Sequence, residues 1–438
     1  MALTHHVLSF SNVIRVSHKR MGLKHINQRS ILALTILASL ALYLLYAAYD
    51  GFATYFYDDS GSFLIAGDVF LSGEIDYLRT PVYPLLCRLA LWISAPHAMH
   101  IVSAFQEIVF LTSIAAIFYA LIALDIRKSI IYVVTAAYAL CPILFLYSRS
   151  ILSESLAISC TAYLICTLSH VWRGIRPTTM AVASIALFLL MIMLKPFFLC
   201  FAPGVAIIII YSLIKKRNDS RHIAAILVSG FLALAALSSY CYAYYAKYGK
   251  FALSCVYELN RDMTLYKCGI TDYPQGINYY KYHSPTDING DSISFSTAWK
   301  WQPTKEYLEK CNNIYESNKV RYIINKVIDY HYFLYYTYTY SPTHIATLYY
   351  TSRLIRVTVA QINIFLLAFL LIELYLAIKY RKNIVFSFAL ASFVAATIFT
   401  TIWGADEQYD RLMIPMAPCL FVMLALFANR FTINKMRN

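Results

Sequence analysis

Long runs of apolar residues recur along this 438-residue chain and restrict what it can fold into. Each run has roughly 17–25 residues, the helix length needed to cross about 30 Å of hydrocarbon. Hydrophobic residues make up 60% of the chain and charged residues 14%, so a water-soluble domain could not cover its apolar surface. The sequence therefore predicts an all-α integral membrane bundle of about ten transmembrane helices. The predicted spans are Ile31–Tyr49, Ile101–Ala123, Ile130–Leu146, Ser155–Val171, Thr178–Leu194, Phe197–Ile214, His222–Ala246, Leu354–Ile378, Ile384–Trp403 and Leu412–Ala428.

The predicted spans divide the chain into four parts. Residues 1–30 form a basic cytoplasmic tail, and residues 31–246 form a transmembrane module whose first outer loop is 50–100. Residues 247–353 form an outer segment, and residues 354–438 form the C-terminal transmembrane helices and a second cytoplasmic tail. Within the first outer loop, the apolar stretch Pro81–Ala95 is too short for a span and predicts an interfacial or re-entrant helix.

Basic residues in the short loops set the orientation of the bundle, because such residues stay on the cytoplasmic side. With ten spans, these loops and both basic tails fall on one side, so the N- and C-termini are predicted to be cytoplasmic. The first 29 residues lack the apolar core and cleavage site of a secretory signal, so we expect the first span to stay attached. The formal net charge of +14 is then a topology signal and does not imply nucleic-acid binding.

The outer segment has two halves of different composition. The region around Asp272–Asp291 is dense in Pro, Gly, Asn and Asp, which predicts loops and turns. Thr304–Tyr340 has few helix breakers and many tyrosines, so we expect helix along the membrane surface and a mainly α segment. Cys255, Cys268 and Cys311 lie in this segment. A Cys255–Cys268 disulfide in an oxidising compartment stays open, because spacing alone cannot establish it.

The first outer loop contains the residues best suited to chemistry. From Tyr57 to Leu86 its sequence is YDDSGSFLIAGDVFLSGEIDYLRTPVYPLL, with Asp58 and Asp59 shortly after the first span. A carboxylate at this boundary can take the proton from an incoming hydroxyl or amine when the site holds both partners. The alternative is structural: Asp58 would cap the following helix, since Asp and Ser are good capping residues.

The order of motifs resembles the C-type glycosyltransferase superfamily (GT-C), which includes bacterial aminoarabinose transferases acting on lipid A and protein O-mannosyltransferases. The shared features are an early acid after the first span, a later Gly, the turn Arg79-Thr80-Pro81, a large outer segment and an Arg-bearing loop before the final span. Members use a sugar carried on a polyprenyl phosphate. The resemblance implies that Asp58 or Asp59 is the general base. Asp58 is preferred, but the adjacent pair leaves the choice open, and the superfamily often has Asp-Glu at this point.

Three cations are candidates for binding the donor phosphate, since a phosphate leaving group needs cations to stabilise its developing charge. The resemblance places a basic residue such as Arg79 near the donor phosphate. Lys195 precedes Pro196 at the outer end of a span, where snorkelling to the interface is an equally weighted alternative. Arg411 follows three acids just before the last span, and a local salt bridge is its alternative.

Other polar residues are predicted to line the same cavity. Arg149 and Glu154 flank a tight outer turn, and a structural pair between them is the favoured alternative. Glu107 lies inside a span, where it is either functional or hydrogen-bonded to a neighbouring span. No metal ligands are predicted, although some superfamily members bind a divalent metal in the first loop, so a divalent cation stays open as a cofactor. The predicted lining residues are Arg149, Glu154, Glu407 and Tyr83.

Together these features predict a hexosyl- or pentosyltransferase of the bacterial inner membrane, with its active site facing the periplasm. It would move a monosaccharide from undecaprenyl phosphate to a glycan, lipid or protein acceptor in one in-line displacement with inversion. One alternative is a polysaccharide polymerase or ligase that relies on outer-loop arginines and histidines. Another is a lipid-linked-sugar transporter or flippase, which would need charged or broken helices near the bilayer midplane. The sugar, the acceptor and the oligomeric state stay open.

Overall fold

The computed structural model of the chain describes residues 28–49, 51–55, 58–271, 277–286, 292–301, 303–335, 362–380, 384–404 and 413–435. These residues are mainly helical, with one antiparallel pair of strands. The elements are α1 (Gln28–Tyr49), α2 (Asp58–Leu71), α3 (Val82–Ile93), α4 (Ala98–Ala123), α5 (Lys128–Ala139), α6 (Pro142–Leu146), α7 (Glu154–Arg173), α8 (Pro177–Leu194), α9 (Ala202–Lys215), α10 (Ser220–Tyr248), α11 (Val256–Lys267), β1 (Ile277–Thr286), β2 (Ser292–Trp301), α12 (Lys305–Ser317), α13 (Lys319–Tyr335), α14 (Ile362–Tyr380), α15 (Val385–Gly404) and α16 (Ala417–Lys435).

Seven helices in the described part of the chain are long and apolar enough to cross a membrane. They are α1, α4, α7, α8, α9, α10 and α15, with short 3₁₀ turns extending α4 and α9. The bent pair α5 and α6 forms an eighth span if it is counted as one. The prediction of a helical membrane bundle is confirmed. The other two of the ten predicted spans coincide with α14 and α16, whose described apolar parts are the shorter stretches Leu366–Leu376 and Ile414–Arg430.

The bend between α5 and α6 departs from the sequence prediction, which treats Ile130–Leu146 as one straight span. The two helices meet at 42°. Pro142 has no backbone N–H and its ring clashes with the carbonyl four residues earlier, so the helix breaks in front of it. Cys141 accordingly has an extended backbone, with φ −72° and ψ 108°. The bend leads into the 3₁₀ turn Tyr147–Arg149 and brings Arg149 to the C-terminal end of α1.

Helix α7 lies at the centre of the bundle. Most of its residues are buried, whereas few residues of α10 are buried, which places α10 at the periphery. Small side chains on α7, such as Ser155, Ala157, Ser159 and Ala162, are buried. Small residues let membrane helices approach closely, and α4 and α8 both pack against α7. The first residue of this buried helix, Glu154, is therefore inside the protein.

Helix α3 has the form expected of an interfacial helix. Its 12 residues rise only about 18 Å, which is too short to cross a bilayer. Tyr83, Cys87 and Ala90 are buried on one face, whereas Leu89 and Trp92 are exposed on the other, Trp92 to 85%. An amphipathic helix with an exposed tryptophan is typical of the membrane–water boundary. The prediction made for Pro81–Ala95 is thus confirmed in form.

Gly67 sets the distance between α2 and α3. A Cβ atom at this position would lie 2.9 Å from the backbone oxygen of Pro84 and would also collide with the side chain of Arg88. A backbone oxygen cannot rotate away as a side chain can. We therefore expect Gly67→Ala to lower the free energy of unfolding by about 1–3 kcal/mol through overpacking. A lower apparent melting temperature of the purified protein in detergent is the measurement.

The matched control for Gly67→Ala is Gly230→Ala in α10. An added Cβ at Gly230 meets no atom within 4 Å. Replacing glycine with alanine inside an unhindered helix stabilises it by roughly 0.5–1 kcal/mol. The control should therefore melt at the same temperature as the wild type or slightly higher. Similar melting temperatures for the two variants would contradict the close packing at Gly67.

The outer segment contains a β-hairpin where the sequence predicted loops. β1 and β2 are antiparallel, with Ile277 opposite Trp301 and an irregularity between Tyr280 and Tyr282. The turn-rich composition of Asp272–Asp291 favoured loops, but residues 277–286 also have the tyrosine and isoleucine content that suits strands. Pairing with a strand beyond this region decided the outcome. Apart from this hairpin, α11, α12 and α13 make the described part of the segment helical, as expected.

The structure is incompatible with a Cys255–Cys268 disulfide. Cys255 precedes α11 and Cys268 follows it, so the whole helix separates them. Thirteen helical steps correspond to about 20 Å, whereas the Cα atoms of a disulfide lie within about 7 Å. The Sγ atom of Cys255 instead accepts a hydrogen bond from the hydroxyl of Tyr244 at 3.0 Å. Spacing along the sequence could not decide this, because it does not show which residues form a helix.

Candidate active site

The turn that contains Arg79 is shaped by Asp76. The Oδ1 atom of Asp76 accepts hydrogen bonds from the backbone N–H groups of Leu78 (2.9 Å) and Arg79 (2.7 Å). An aspartate that binds the backbone two and three residues ahead stabilises a turn. Pro81 then restricts the backbone just before α3. Asp76 belongs to no motif in the sequence; its position three residues before Arg79 is the signal that could have revealed it.

One face of α2 binds the guanidinium of Arg79. Its Nη2 atom lies 2.7 Å from Oδ1 of Asp59, and its Nε–H donates to the hydroxyl of Ser62 at 2.9 Å. The guanidinium carbon lies 4.4 Å from the centre of the Phe63 ring. Residues 59, 62 and 63 share a face because they are three and four positions apart in a helix. The structure thus brings together Asp59 and Arg79, two residues predicted from the sequence, and adds Ser62 and Phe63.

Arg79 keeps hydrogen-bonding capacity after these contacts. A guanidinium has five N–H groups in a planar fork, and the contacts within the described residues occupy only two of them. Its side chain is 16% exposed, so it is largely buried without being sealed off. A planar, oriented and partly desolvated guanidinium is well suited to bind a phosphate through two oxygens.

The two adjacent aspartates have different positions at the start of α2. The helix begins at Asp58, whose carboxylate lies outside the described part of the chain. The carboxylate of Asp59 is 22% exposed and forms the ion pair with Arg79. The next residue, Ser60, donates its hydroxyl to the backbone oxygen of Ile151 at 2.7 Å. This bond joins the start of α2 to the loop in front of α7.

A second ion pair lies at the start of α7. The Nζ atom of Lys195 is 2.8 Å from Oε1 of Glu154, with side-chain exposures of 17% and 0%. The sequence predicted both residues for the site without predicting the pair, and Glu154 was expected to pair with Arg149. Lys195 follows the last turn of α8, where Pro196 ends the helix. The lysine therefore neutralises a buried carboxylate, which differs from the snorkelling alternative.

Arg149 binds the end of α1. Its Nη2–H donates to the backbone oxygen of Ala53 at 2.5 Å, and Nη1 lies 3.5 Å from that of Tyr46. The guanidinium also covers the ring of Tyr55 at 5.2 Å, and the backbone of Tyr55 donates to the oxygen of Arg149 and accepts from the N–H of Ile151, both at 2.9 Å. A cation beside the last carbonyls of a helix is favourable. These contacts give Arg149 a structural role at the base of the first outer loop. That Arg149 also lines a cavity stays a prediction.

A buried hydrogen-bond network connects α3, α4 and the 3₁₀ turn. The hydroxyl of Tyr83 donates to Oε1 of Gln106 (3.0 Å), whose Nε2 donates to the backbone oxygens of Ser148 and Ser150. Ser148 donates its hydroxyl to Glu107 at 2.7 Å. Glu107 thus accepts a hydrogen bond from a neighbouring element, which is one of the two roles that the sequence allowed for it. Gln106 was missed, because one amide in an apolar run gives no sequence signal.

Three predicted site residues remain, and two of them lie beyond the described ranges. Arg411 and Glu407 both lie outside the described residues. Tyr83 is buried, and its hydroxyl belongs to the hydrogen-bond network around Gln106. Among the described residues, no group of three His, Cys, Asp or Glu side chains is arranged to bind a metal ion. The role of a divalent cation therefore stays open.

A second polar cluster joins α11 and α12. Nη1 of Arg261 donates to Oδ1 of Asn312 at 2.5 Å, and Nη2 lies 3.3 Å from Oδ1 of Asp262. The guanidinium also covers the ring of Tyr315 at 5.6 Å. The other oxygen of Asp262 is buried with no hydrogen-bond partner among the described residues. Burial raises the pKa of Asp262 to about 6, although Arg261 favours the charged form and Cys311 also contributes a hydrogen bond that lowers the pKa.

This shift predicts how the stability of the segment depends on pH. The folded state binds a proton at Asp262 more tightly than the unfolded state does. The protonated carboxyl group therefore stabilises the folded state, and this contribution to the free energy of unfolding is fully present below the ordinary pKa of 3.8. The contribution is lost as the pH rises through about 6. We expect Asp262→Asn to raise the melting temperature at about pH 7.5 more than at about pH 5, because the amide stays neutral. Equal effects at the two pH values would contradict the shift.

Comparison with known proteins finds only distant similarity. No protein-family model matches the sequence, and no curated protein matches it. Two solved structures of an Archaeoglobus fulgidus oligosaccharyltransferase are similar, each at 12% identity over 91% of this chain. One is tethered by a disulfide to an acceptor peptide containing the NVT sequon (TM-score 0.47), and one is the apo form (TM-score 0.43). The chain spans 49% and 50% of their lengths. Similarity at this level identifies no activity.

Proposed function

We propose that the chain is a membrane glycosyltransferase that moves a monosaccharide from a polyprenyl phosphate to an acceptor at the membrane surface. The membrane would be the bacterial inner membrane, with both termini in the cytoplasm and the site facing the periplasm. The acceptor would be a glycan, a lipid or a protein. The observation that supports this function best is the oriented guanidinium of Arg79, bound to Asp59 next to a second acid at the start of α2.

Sugar transfer from a phosphate needs both a carboxylate that accepts a proton and cations that bind the phosphate. The acceptor oxygen attacks the anomeric carbon, the bond from that carbon to the phosphate oxygen breaks, and the polyprenyl phosphate leaves with the bonding electrons. A carboxylate takes the proton of the acceptor hydroxyl. A phosphate leaves without being protonated, so it needs cations that stabilise its developing charge. Attack in line with the leaving group inverts the configuration at the anomeric carbon.

We assign these roles to the groups at the start of α2 and α3. Asp58 is the preferred base, because the carboxylate of Asp59 already forms an ion pair with Arg79. Asp59 would then position Arg79, and the N–H groups of Arg79 that make no contact within the described residues would bind the donor phosphate. Lys195, paired with Glu154, is the second cation, and Arg411 is proposed as the third. The segment 247–353 would cover the site and select the acceptor.

The test is transfer from a defined polyprenyl-phosphate sugar in proteoliposomes. We expect Asp58→Ala, Asp59→Ala to abolish formation of the glycosidic bond while the protein is still expressed and folded. Asp68→Ala is the matched control, since Asp68 lies on the same helix but pairs with Arg88 and is half exposed. Full activity of the double variant would refute the mechanism. Movement of the donor across the membrane without a new bond would favour a transporter.

A further inference from the structure

The exposed face of α13 is unusually apolar for a helix outside the predicted spans. Five residues on it are exposed: Val320 (71%), Ile323 (42%), Ile324 (53%), Val327 (60%) and Ile328 (45%). Their spacing of three and four places them in a single stripe along the helix. Contiguous apolar surface of this kind marks a site that contacts another apolar phase.

A second face of α13 packs against the end of a transmembrane helix. Tyr322 is fully buried, and its ring meets that of Trp403 edge-on at 6.0 Å. Trp403 lies in the last turn of α15, a candidate span of 20 residues. The end of a span lies at the membrane surface, where tryptophan is enriched. Lys326, one turn after Tyr322, is also buried and lies 5.7 Å from its ring. The helix is therefore held at the level of the membrane boundary.

Helix α13 contacts a span whose outer surface a bilayer would cover. Phe399 of α15 is 67% exposed and its ring is parallel to that of Trp403, with centres 6.2 Å apart. Phe399 lies inside a candidate span, so its exposed ring faces lipid. Ring contacts therefore connect Phe399 through Trp403 to the buried Tyr322 of α13. Since Tyr322 faces this span, the stripe on the other side of α13 faces outward at the same level, which favours lipid as the occupant over a second protein.

The third face of α13 is polar and points to other parts of the segment. Nη2–H of Arg321 donates to the backbone oxygen of Cys268 at 2.7 Å, and Asn325 donates to the backbone oxygen of Arg321. A helix with basic residues, one apolar stripe and one polar face lies in the plane of a membrane surface. The 17 residues of α13 include too many charges for a span.

We propose that α13 is embedded in the lipid headgroup region, with the stripe from Val320 to Ile328 inserted toward the acyl chains. The helix thereby anchors the segment that contains α11, α12 and the Arg261–Asp262 cluster to the bilayer. The anchor does not depend on the function proposed above. The partner is the lipid surface itself.

The test is the accessibility of spin labels on the full-length protein in lipid nanodiscs. Labels are introduced into a Cys268→Ser background, because Cys268 is only partly buried. Cys255 and Cys311 in the same segment are buried and are kept. Labels are attached to Ile324→Cys on the stripe and, as the matched control, to Asn325→Cys on the polar face. Power saturation compares collisions with oxygen, which partitions into lipid, and with a water-soluble nickel chelate. Labelled background protein supplies the signal to subtract.

We expect the label at 324 to collide with oxygen severalfold more than with nickel, and the label at 325 to show the reverse. A label at 324 that collides mainly with nickel would overturn the proposal, since the stripe would then face water. A label at 324 shielded from both reagents would also overturn it, because protein would then cover the stripe. Ile324→Ser with unchanged folding is a second variant. It should increase nickel collisions at a label placed on Val327→Cys.

Discussion

Replacing Arg79 with lysine is expected to lower the rate of sugar transfer by about 100-fold, the usual loss when one oriented donor to a developing anion is removed. Lysine keeps the positive charge. It cannot donate to Ser62 and Asp59 at the same time as presenting two parallel N–H groups to a phosphate. The loss should appear mainly in kcat, because the charge on the leaving phosphate develops in the transition state. Initial rates at saturating polyprenyl-phosphate sugar measure it.

Arg88→Lys is the control for Arg79→Lys. Arg88 also joins α3 to α2, through an ion pair with Asp68. Lysine can keep such a pair, so the control should transfer sugar at close to the wild-type rate. A wild-type kcat for Arg79→Lys would contradict the proposed phosphate-binding role of the guanidinium. A raised KM with unchanged kcat would show that Arg79 contributes only to ground-state binding.

Replacing Lys195 with methionine is expected to destabilise the fold by about 3–5 kcal/mol, as measured when one partner of a buried ion pair is removed. Glu154 has no exposed side-chain surface, so its carboxylate would lose its counter-ion inside the protein. The double variant Lys195→Met, Glu154→Gln removes both charges and should recover most of the stability. Apparent melting temperatures of the four proteins of this double-mutant cycle measure the coupling.

Lys305→Met is the control for the ion-pair cycle, because Lys305 is 91% exposed and its pair with Glu309 should contribute little. A single Lys195→Met variant that melts like the wild type would contradict a buried, stabilising pair. The stable double variant also separates structure from chemistry. If it is folded and inactive, Lys195 or Glu154 takes part in transfer; if it is folded and active, the pair is structural.

The local pattern of apolar residues was sufficient to predict the membrane-spanning helices and the interfacial helix. The run Pro177–Leu194 becomes α8 because apolar length and helical propensity act over neighbouring residues. The same reasoning predicted the short helix α3. It failed at Ile277–Thr286, where turn-forming residues around a tyrosine-rich stretch concealed a strand whose partner lies further along the chain. It also missed the bend at Pro142, although a proline inside an apolar run is a known signal.

The sequence by itself determined that this chain is a helical membrane protein, and it singled out Asp59, Arg79, Glu154 and Lys195 as residues worth testing. Those inferences need only composition, charge and short motifs. Only the tertiary structure decided the partners: Asp59 with Arg79, and Glu154 with Lys195. The two members of the second pair are 41 residues apart, one at the start of α7 and the other just after the end of α8. The packing of those helices determines which charges meet in a buried site, and no local pattern contains that information.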